Sequence, residues 1–283
     1  MKKLKIFPKM FIQIFSVLGI IIILVHLLVF FIFPKTYLET RKEKIHNMAN
    51  EISSNMNGKE IKYIEQTLEL YSKSSEIKAF IKRAGINLTS LGFTDHSEVH
   101  TTLVADRAAA ILKEFGYDEH TIELAKIAGY MHDIGNAVNR THHAEYGAIL
   151  ANDILKDTDM PLEDRVTIVS CIGSHDESTG GATDPVSAAV IIGDKTDVRR
   201  NRVSNKDKSS FDIHDRVNYA VTEASLKINA DKKVISLNLQ IDESICTMYD
   251  YFDIFLQRML MCRGAAGVLG AKFKLTANGS KVL

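Results

Sequence analysis

Cysteine is scarce in this 283-residue chain. The three that occur, Cys171, Cys246 and Cys262, are odd in number, lie in apolar surroundings and show no CxxC spacing. That argues against a disulfide framework or a zinc knuckle and leaves buried free thiols, the state expected in a reducing compartment. An excess of charge of either sign is also missing, since 35 Lys+Arg balance 35 Asp+Glu. No nucleic-acid partner is therefore expected. Disorder is excluded as well, because 46% hydrophobic and 25% charged residues are the composition of a globular protein with a core.

One long apolar run is present. Residues Phe11 to Phe33 are broken only by Gln13, Ser16, Gly19 and His26, and about twenty such residues cross a hydrocarbon core. Residues 1–33 thus read as an N-terminal tail and a transmembrane helix, giving a single-pass protein of the cell membrane. A cleaved signal peptide fits less well, because the run is too long and no small-x-small site precedes Pro34. Lys2, Lys3, Lys5 and Lys9 on one side are matched by Lys35, Arg41, Lys42 and Lys44 on the other, so the positive-inside rule is a tie. Free cysteines and an intracellular substrate favour a cytoplasmic C-terminal part. Residues 34–84 read as a helical linker. Leu38, Ile45 and Ile52, spaced by seven around Met48, suit a solvated amphipathic helix or a short coiled coil that would make a homodimer. This N-terminal stretch resembles the membrane segment of bacterial sensor kinases, although nothing later resembles their dimerisation or ATP-binding domains.

Regular helix punctuation begins near Gly92. Ser97 or Asp95 can cap a helix with apolar face Val99, Leu103, Val104, Ala108, Ile111, Leu112 and Phe115, which Gly116 ends. A second helix is predicted from Asp118 to Gly135 and a third from about Thr141 to Leu155. Asp159 before Met160-Pro161 and Asp184 before Pro185 each repeat a helix-start signature. The expectation is a mainly α fold, a helical bundle over 85–223. A small α+β element over 224–283 follows: a hairpin around Ala230–Lys233, a helix from about Ser244 to Leu269, and an Asn278-Gly279 turn, read as an antiparallel sheet with one helix.

Seven of the ten histidines fall at 96, 100, 120, 132, 142, 143 and 175. His96 and His100 are four apart and share a helix face if the helix starts early enough, so His96 is either a ligand or a cap residue. His132-Asp133 lies beside Gly135, where a last helical turn can aim both side chains at one point. Imidazoles with carboxylates and no thiolate suit Mn, Fe, Zn or a similar divalent ion.

In order and context, His100 before Val104-Ala105, His132-Asp133-Ile134-Gly135, His143-Ala144-Glu145-Tyr146-Gly147, His175-Asp176-Glu177 and the Asp194 that ends an apolar helix resemble the HD-domain metal-dependent phosphohydrolases over about residues 80–215. The resemblance implies an all-helical domain in which His100, His132, Asp133 and Asp194 hold one metal, while His143 and His175 complete a second site with Asp133 bridging. Two departures stand out. Asn136 replaces the lysine of the common HDIGK motif, leaving Lys195, Arg199, Arg200 or Arg140 to meet substrate phosphate. The stretch after Glu177 lacks the GYP element, which disfavours cyclic di-GMP, and the acidic pair of the alarmone hydrolases is absent.

The resulting expectation is hydrolysis of a small phosphate ester, a nucleotide by family resemblance, by metal-activated water. Asp133 binds metal and orients the water, and Lys195 and Arg199 offset phosphate charge. A catalytically silent HD-fold signalling module that binds metal or nucleotide is the alternative.

Overall fold

The computed structural model describes residues 75–94, 96–203, 205, 211 and 213–282. The apolar run Phe11–Phe33, the heptad-like Leu38, Ile45 and Ile52, and the sensor-kinase-like stretch lie outside these residues. Among the described residues no helix is long and apolar enough to cross a membrane. The described residues belong to one unit, 66–283.

Helix α1 covers residues 75–90, so the boundary expected at 84/85 falls inside a helix. Ile77, Ile81, Ala84 and Leu88 recur at three or four residues and are buried, and this end of the expected linker therefore packs into the core. α2 (Glu98–Glu114) starts where the Ser97 side chain accepts from the Val99 amide. Its core stripe, Val104, Ala108, Ile111 and Leu112, continues back to His100, whereas Val99, expected on the apolar face, is 64% exposed. Spacing by four selects His100 for the interior and turns its neighbour outward.

α3 (Glu119–Met131), capped by Asp118, stops four residues before the expected Gly135. Its chain turns at His132-Asp133 into a short 3-10 segment, Ile134–Ala137. The cause is contact with α4 (His143–Leu155): a Cβ on Gly135 would lie 1.9 Å from the His143 carbonyl oxygen and 2.4 Å from the Gly147 amide nitrogen. Only glycine permits this approach, which sets His132-Asp133 beside the start of α4. α5 (Leu162–Gly173) begins after Pro161, with no side-chain cap, rather than at the expected Asp159.

α6 (Pro185–Lys195) opens with a reciprocal Asp184–Ser187 capping box, and every residue from Val186 to Lys195 is buried. A helix apolar on all sides has no solvent face, so it runs through the middle of the bundle and carries Asp194 into the core at its end. Gly193 lets it lie against α2, since a Cβ there would sit 3.0 Å from the Val104 carbonyl oxygen.

A short helix, α7 (Ile213–Ala220), leads into β1 (Val221–Asn229) and β2 (Val234–Ile241), an antiparallel hairpin as expected. α8 (Met248–Val268) starts at Thr247, a few residues later than predicted. β3 (Lys272–Ala277) then pairs with β2 in parallel, Leu237 opposite Leu275, which corrects the all-antiparallel expectation. The reason is the intervening helix: a strand that returns through a helical crossover runs in the same direction as the one it left. β4 (Ser280–Lys281) closes the sheet in the order β1-β2-β3-β4 through Asn278-Gly279, both at positive φ. Ile235, Leu237, Phe273 and Leu275 cover Tyr251, Phe255 and Met259, and one apolar cluster joins them to the bundle. All three cysteines are free and buried.

Because the Gly135 contact is backbone against backbone, Gly135→Ala is expected to cost at least about 2 kcal/mol. Gly181→Ala, where an added Cβ meets nothing within 4 Å, is expected to stay within about 0.5 kcal/mol of the parent. Urea unfolding of the two variants measures the difference.

Candidate metal centre

Five chain segments end at one point. His100 comes from the first turn of α2, His132 and Asp133 from the end of α3, His143 is the first residue of α4, His175 follows the end of α5, and Asp194 is next to last in α6. All six are buried, none more than 6% exposed. The structure thus brings together the whole ligand set expected from the sequence.

Ring orientation follows from backbone carbonyls. His132 Nδ1 is 2.7 Å from the Gly129 oxygen, His143 Nδ1 is 3.1 Å from that of Arg140, and His175 Nδ1 is 2.6 Å from that of Ile172. A carbonyl only accepts, so each Nδ1 carries a proton and donates it, and in the neutral ring Nε2 keeps its lone pair. At His132 burial is outweighed by Asp133 and Asp194, which raise the imidazole, so a proton competes there with a metal for Nε2. All three acceptors lie three residues upstream, at helix ends and turns, where a carbonyl has room for a side-chain donor. His100 is held differently: its Nδ1 lies 2.7 Å from Asp197 Oδ2. Burial pushes the Asp197 carboxyl up, but His100, Arg202 and Arg199 outweigh it and hold the group well below the usual range. Asp197 is therefore an ionised acceptor that fixes the His100 tautomer.

The lone pairs converge on two corners of one carboxylate. At the first corner, Asp133 Oδ2 lies 3.2 Å from His132 Nε2 and 3.7 Å from His100 Nε2. Asp194 Oδ1 lies 3.3 Å from His100 Nε2 and 3.8 Å from His132 Nε2. At the second, Asp133 Oδ1 lies 3.8 Å from both His143 Nε2 and His175 Nε2. His100 Nε2 and His132 Nε2 are buried without a hydrogen-bond partner. Acceptors facing acceptors in a dry interior repel unless a cation lies between them, so the donor set fits a divalent metal, with Asp133 able to serve both corners.

Electrostatics agree. Burial pushes the Asp133 carboxyl up, yet the fields of His132 and His96 hold it well below its usual range. Burial acts against Asp194 in the same way and is outweighed mainly by Lys195. At His143 burial dominates and lowers the imidazole to about 4, leaving it neutral and ready to ligate.

Asn136, in the place of the family lysine, is buried and donates to Asp133 Oδ1 at 2.8 Å and to the Asp133 carbonyl at 3.0 Å. It orients Asp133 and is not a cation for substrate. Lys195, expected to meet phosphate, is 2% exposed, with Nζ 2.7 Å from both Asp194 Oδ2 and Glu177 Oε2. Arg199 forks onto Asp197. Arg200 donates to the Tyr219 carbonyl. Arg140 lies at the other side of the cluster, its guanidinium 3.3 Å from His143 Nε2, 3.4 Å from Asn136 Oδ1 and resting on the Phe93 ring.

His96 is not the helix cap, a role Ser97 fills. Its buried ring lies 5.4 Å from that of His100, with Nδ1 on the Thr94 carbonyl. Its atoms are not among those that converge. Exposed His120 and His142 pair with Asp164 and Glu145. Sequence reasoning missed Asp197, whose signal was its spacing of three from Asp194 just before Arg199, Arg200 and Arg202. It also missed Asp176, whose Oδ2 lies 3.5 Å from His143 Nε2.

Comparison with known proteins agrees with this geometry. Residues 98–217 match the HD domain, a span that contains all six ligands. An uncharacterized protein of Methanocaldococcus jannaschii is 27% identical over 191 residues, covering 59% of this chain and 73% of that protein. The buried histidine–aspartate cluster lies inside the span that matches the HD domain.

Proposed function

We propose that this protein hydrolyses a small phosphate ester, with nucleotides as the substrate class, at a two-metal centre. The carrying observation is the pair of buried Nε2 atoms of His100 and His132, which make no well-aligned hydrogen bond and face Asp194 and Asp133 at 3.3 and 3.2 Å, a spacing that suits a shared cation. His100, His132, Asp133 Oδ2 and Asp194 Oδ1 would hold one ion; His143, His175 and Asp133 Oδ1 would hold the other. Divalent cations bound there supply Lewis-acid polarisation of the phosphoryl oxygens and acidify water to a nucleophile at neutral pH.

The protein's own groups do the rest. Asp133, steadied by Asn136, orients the attacking water. Arg140 offers its guanidinium to the phosphate, the task the sequence had assigned to Lys195 and Arg199. Lys195 and Arg199 act on the carboxylates Asp194 and Asp197. No cysteine competes as nucleophile: burial raises the thiols of Cys171 and Cys246 and lifts that of Cys262 to about 12, so none is activated as a thiolate. The balanced charge of the chain supports a small substrate over a polymer backbone. A silent HD-fold signalling module is the second reading, favoured by the missing HDIGK lysine and opposed by the complete ligand set.

In the same proposal Phe11–Phe33 anchors the protein as one membrane-spanning helix, with the HD domain on the cytoplasmic side, where free thiols survive. Enzyme reporters fused after Leu283 are expected to be active only when they work inside the cell. Activity of an outside-only reporter reverses the orientation.

Asp133→Ala removes the carboxylate that serves both corners, and metal content and turnover are expected to fall together. Elemental analysis with full occupancy in that variant would reject the ligand assignment. His143→Ala is expected to keep about one Mn²⁺ per chain and to lose about 100-fold or more in turnover on a panel of nucleotides, a cyclic dinucleotide and an aryl phosphate. Unchanged activity would reject the second ion, and no hydrolysis of any panel member by the parent would favour the silent module.

A further inference from the structure

The C-terminal element supplies no ligand atom to either corner, yet its helix reaches the centre. Arg258 on α8 donates from Nε to Glu177 Oε1 at 2.9 Å. Glu177 Oε2 lies 2.7 Å from Lys195 Nζ, which is also 2.7 Å from Asp194 Oδ2. The other Asp194 oxygen is the one that faces His100 and His132. Alternating charges therefore run without a gap from the C-terminal helix to a metal ligand. Each carboxylate in the series uses one oxygen on one side and the other oxygen on the next, so the series transmits orientation as well as charge.

We propose that the C-terminal helix is a working part of the metal centre. Arg258 is a positioning residue that acts through Glu177 and Lys195 to hold Asp194 with Oδ1 toward His100 and His132. The inference rests on the reading of this site as a metal centre.

Lysine alone does not achieve this. Its ammonium is a point charge on a flexible stem and follows Asp194 into any rotamer. A second carboxylate at a set place fixes where Nζ sits. Glu177 is that carboxylate, and its side chain is 26% exposed, so water competes for it unless something holds it in. The Arg258 guanidinium does so from a shielded position, its side chain 18% exposed and lying over the Phe255 ring at 5.2 Å. Glu177 also follows His175 and Asp176 directly, so the same clamp steadies the segment that delivers His175 to the second corner. The sheet and α8, packed on the bundle through Phe255 and Cys262, are the support on which this clamp stands. Partners of metal ligands commonly set affinity by orientation in this way.

The rival account is a plain field effect, and two variants of the full-length chain separate them. Arg258→Gln removes a positive charge: a field effect tightens Mn²⁺ binding, whereas lost positioning loosens it. Arg258→Lys keeps the charge and loses the planar fork: a field effect leaves affinity unchanged, and lost positioning still loosens it. Mn²⁺ titration followed by calorimetry and by the electron paramagnetic resonance of the bound ion gives affinity and stoichiometry. Thermal unfolding of the metal-free protein reports the fold independently. The expected result is Mn²⁺ binding weaker by about 10–100-fold in Arg258→Gln and by a smaller factor in Arg258→Lys, with little change in metal-free unfolding. Parent-like or tighter binding in Arg258→Gln overturns the proposal. If that variant does not fold, parent-like binding in Arg258→Lys overturns it. A parent chain that binds no Mn²⁺ overturns the metal-centre reading itself, an outcome distinct from either.

Discussion

The structure turns on one carboxylate. Asp133 is buried, aims its two oxygens at different groups of imidazoles, and sits in a turn rather than a helix. Burying Asp133 beside Asp194 and Asp197 costs several kcal/mol per charge unless each is compensated. Lys195 compensates Asp194, and Arg199 and Arg202 compensate Asp197. Asp133 receives one neutral amide from Asn136 and otherwise faces only histidines. That donor set suits a shared cation. A lysine in place of Asn136 would add a positive charge here, whereas the amide keeps Asp133 oriented without one.

The histidines are oriented by the fold more than by one another. Three of them donate Nδ1 to a carbonyl three residues earlier, at the end of α3, just before α4 and at the end of α5. Helix ends expose carbonyls that need a donor. Each interaction thus satisfies the backbone and fixes a ligand at once. It also accounts for the placement of the ligands at helix termini: a histidine in mid-helix finds the carbonyls below it already taken. Gly135 completes the arrangement by letting the turn after α3 touch the start of α4.

Much of this was legible in the sequence, and the limits are physical. The order of His100, His132-Asp133, His143, His175 and Asp194 identified the cluster because metal ligands must be chemically specific wherever they fall in the chain. The fully apolar run before Asp194 showed a buried helix, and Asp184 with Pro185 showed its start. The role of Lys195 was not legible. A lysine at a helix end is usually solvated, and only the packing of α8 on α6 shows that Glu177, eighteen residues earlier, closes over it. Asp197 was missed because an acid followed by arginines looks like a solvated ion pair until its other oxygen is seen on His100. The parallel pairing of β2 with β3 was missed because alternation of apolar residues reports which face is buried and not which way the neighbouring strand runs.

These features bear on how the site accepts its ions. Backbone carbonyls set the ring tautomers, and Asn136 and Lys195 hold the carboxylate rotamers, so the protein's own contacts constrain the donor atoms. Little conformational entropy is then lost on binding, and the repulsion among facing lone pairs is relieved in the same step. The first corner carries two carboxylate oxygens and two imidazoles around it, whereas the second has Asp133 Oδ1, two imidazoles, Asp176 Oδ2 beside His143 and the Arg140 guanidinium at its edge. A cation near the second corner opposes a metal there and attracts an anion. On the two-metal reading proposed above, a phosphate that drew Arg140 toward itself would remove that opposition, so substrate and second ion would favour one another.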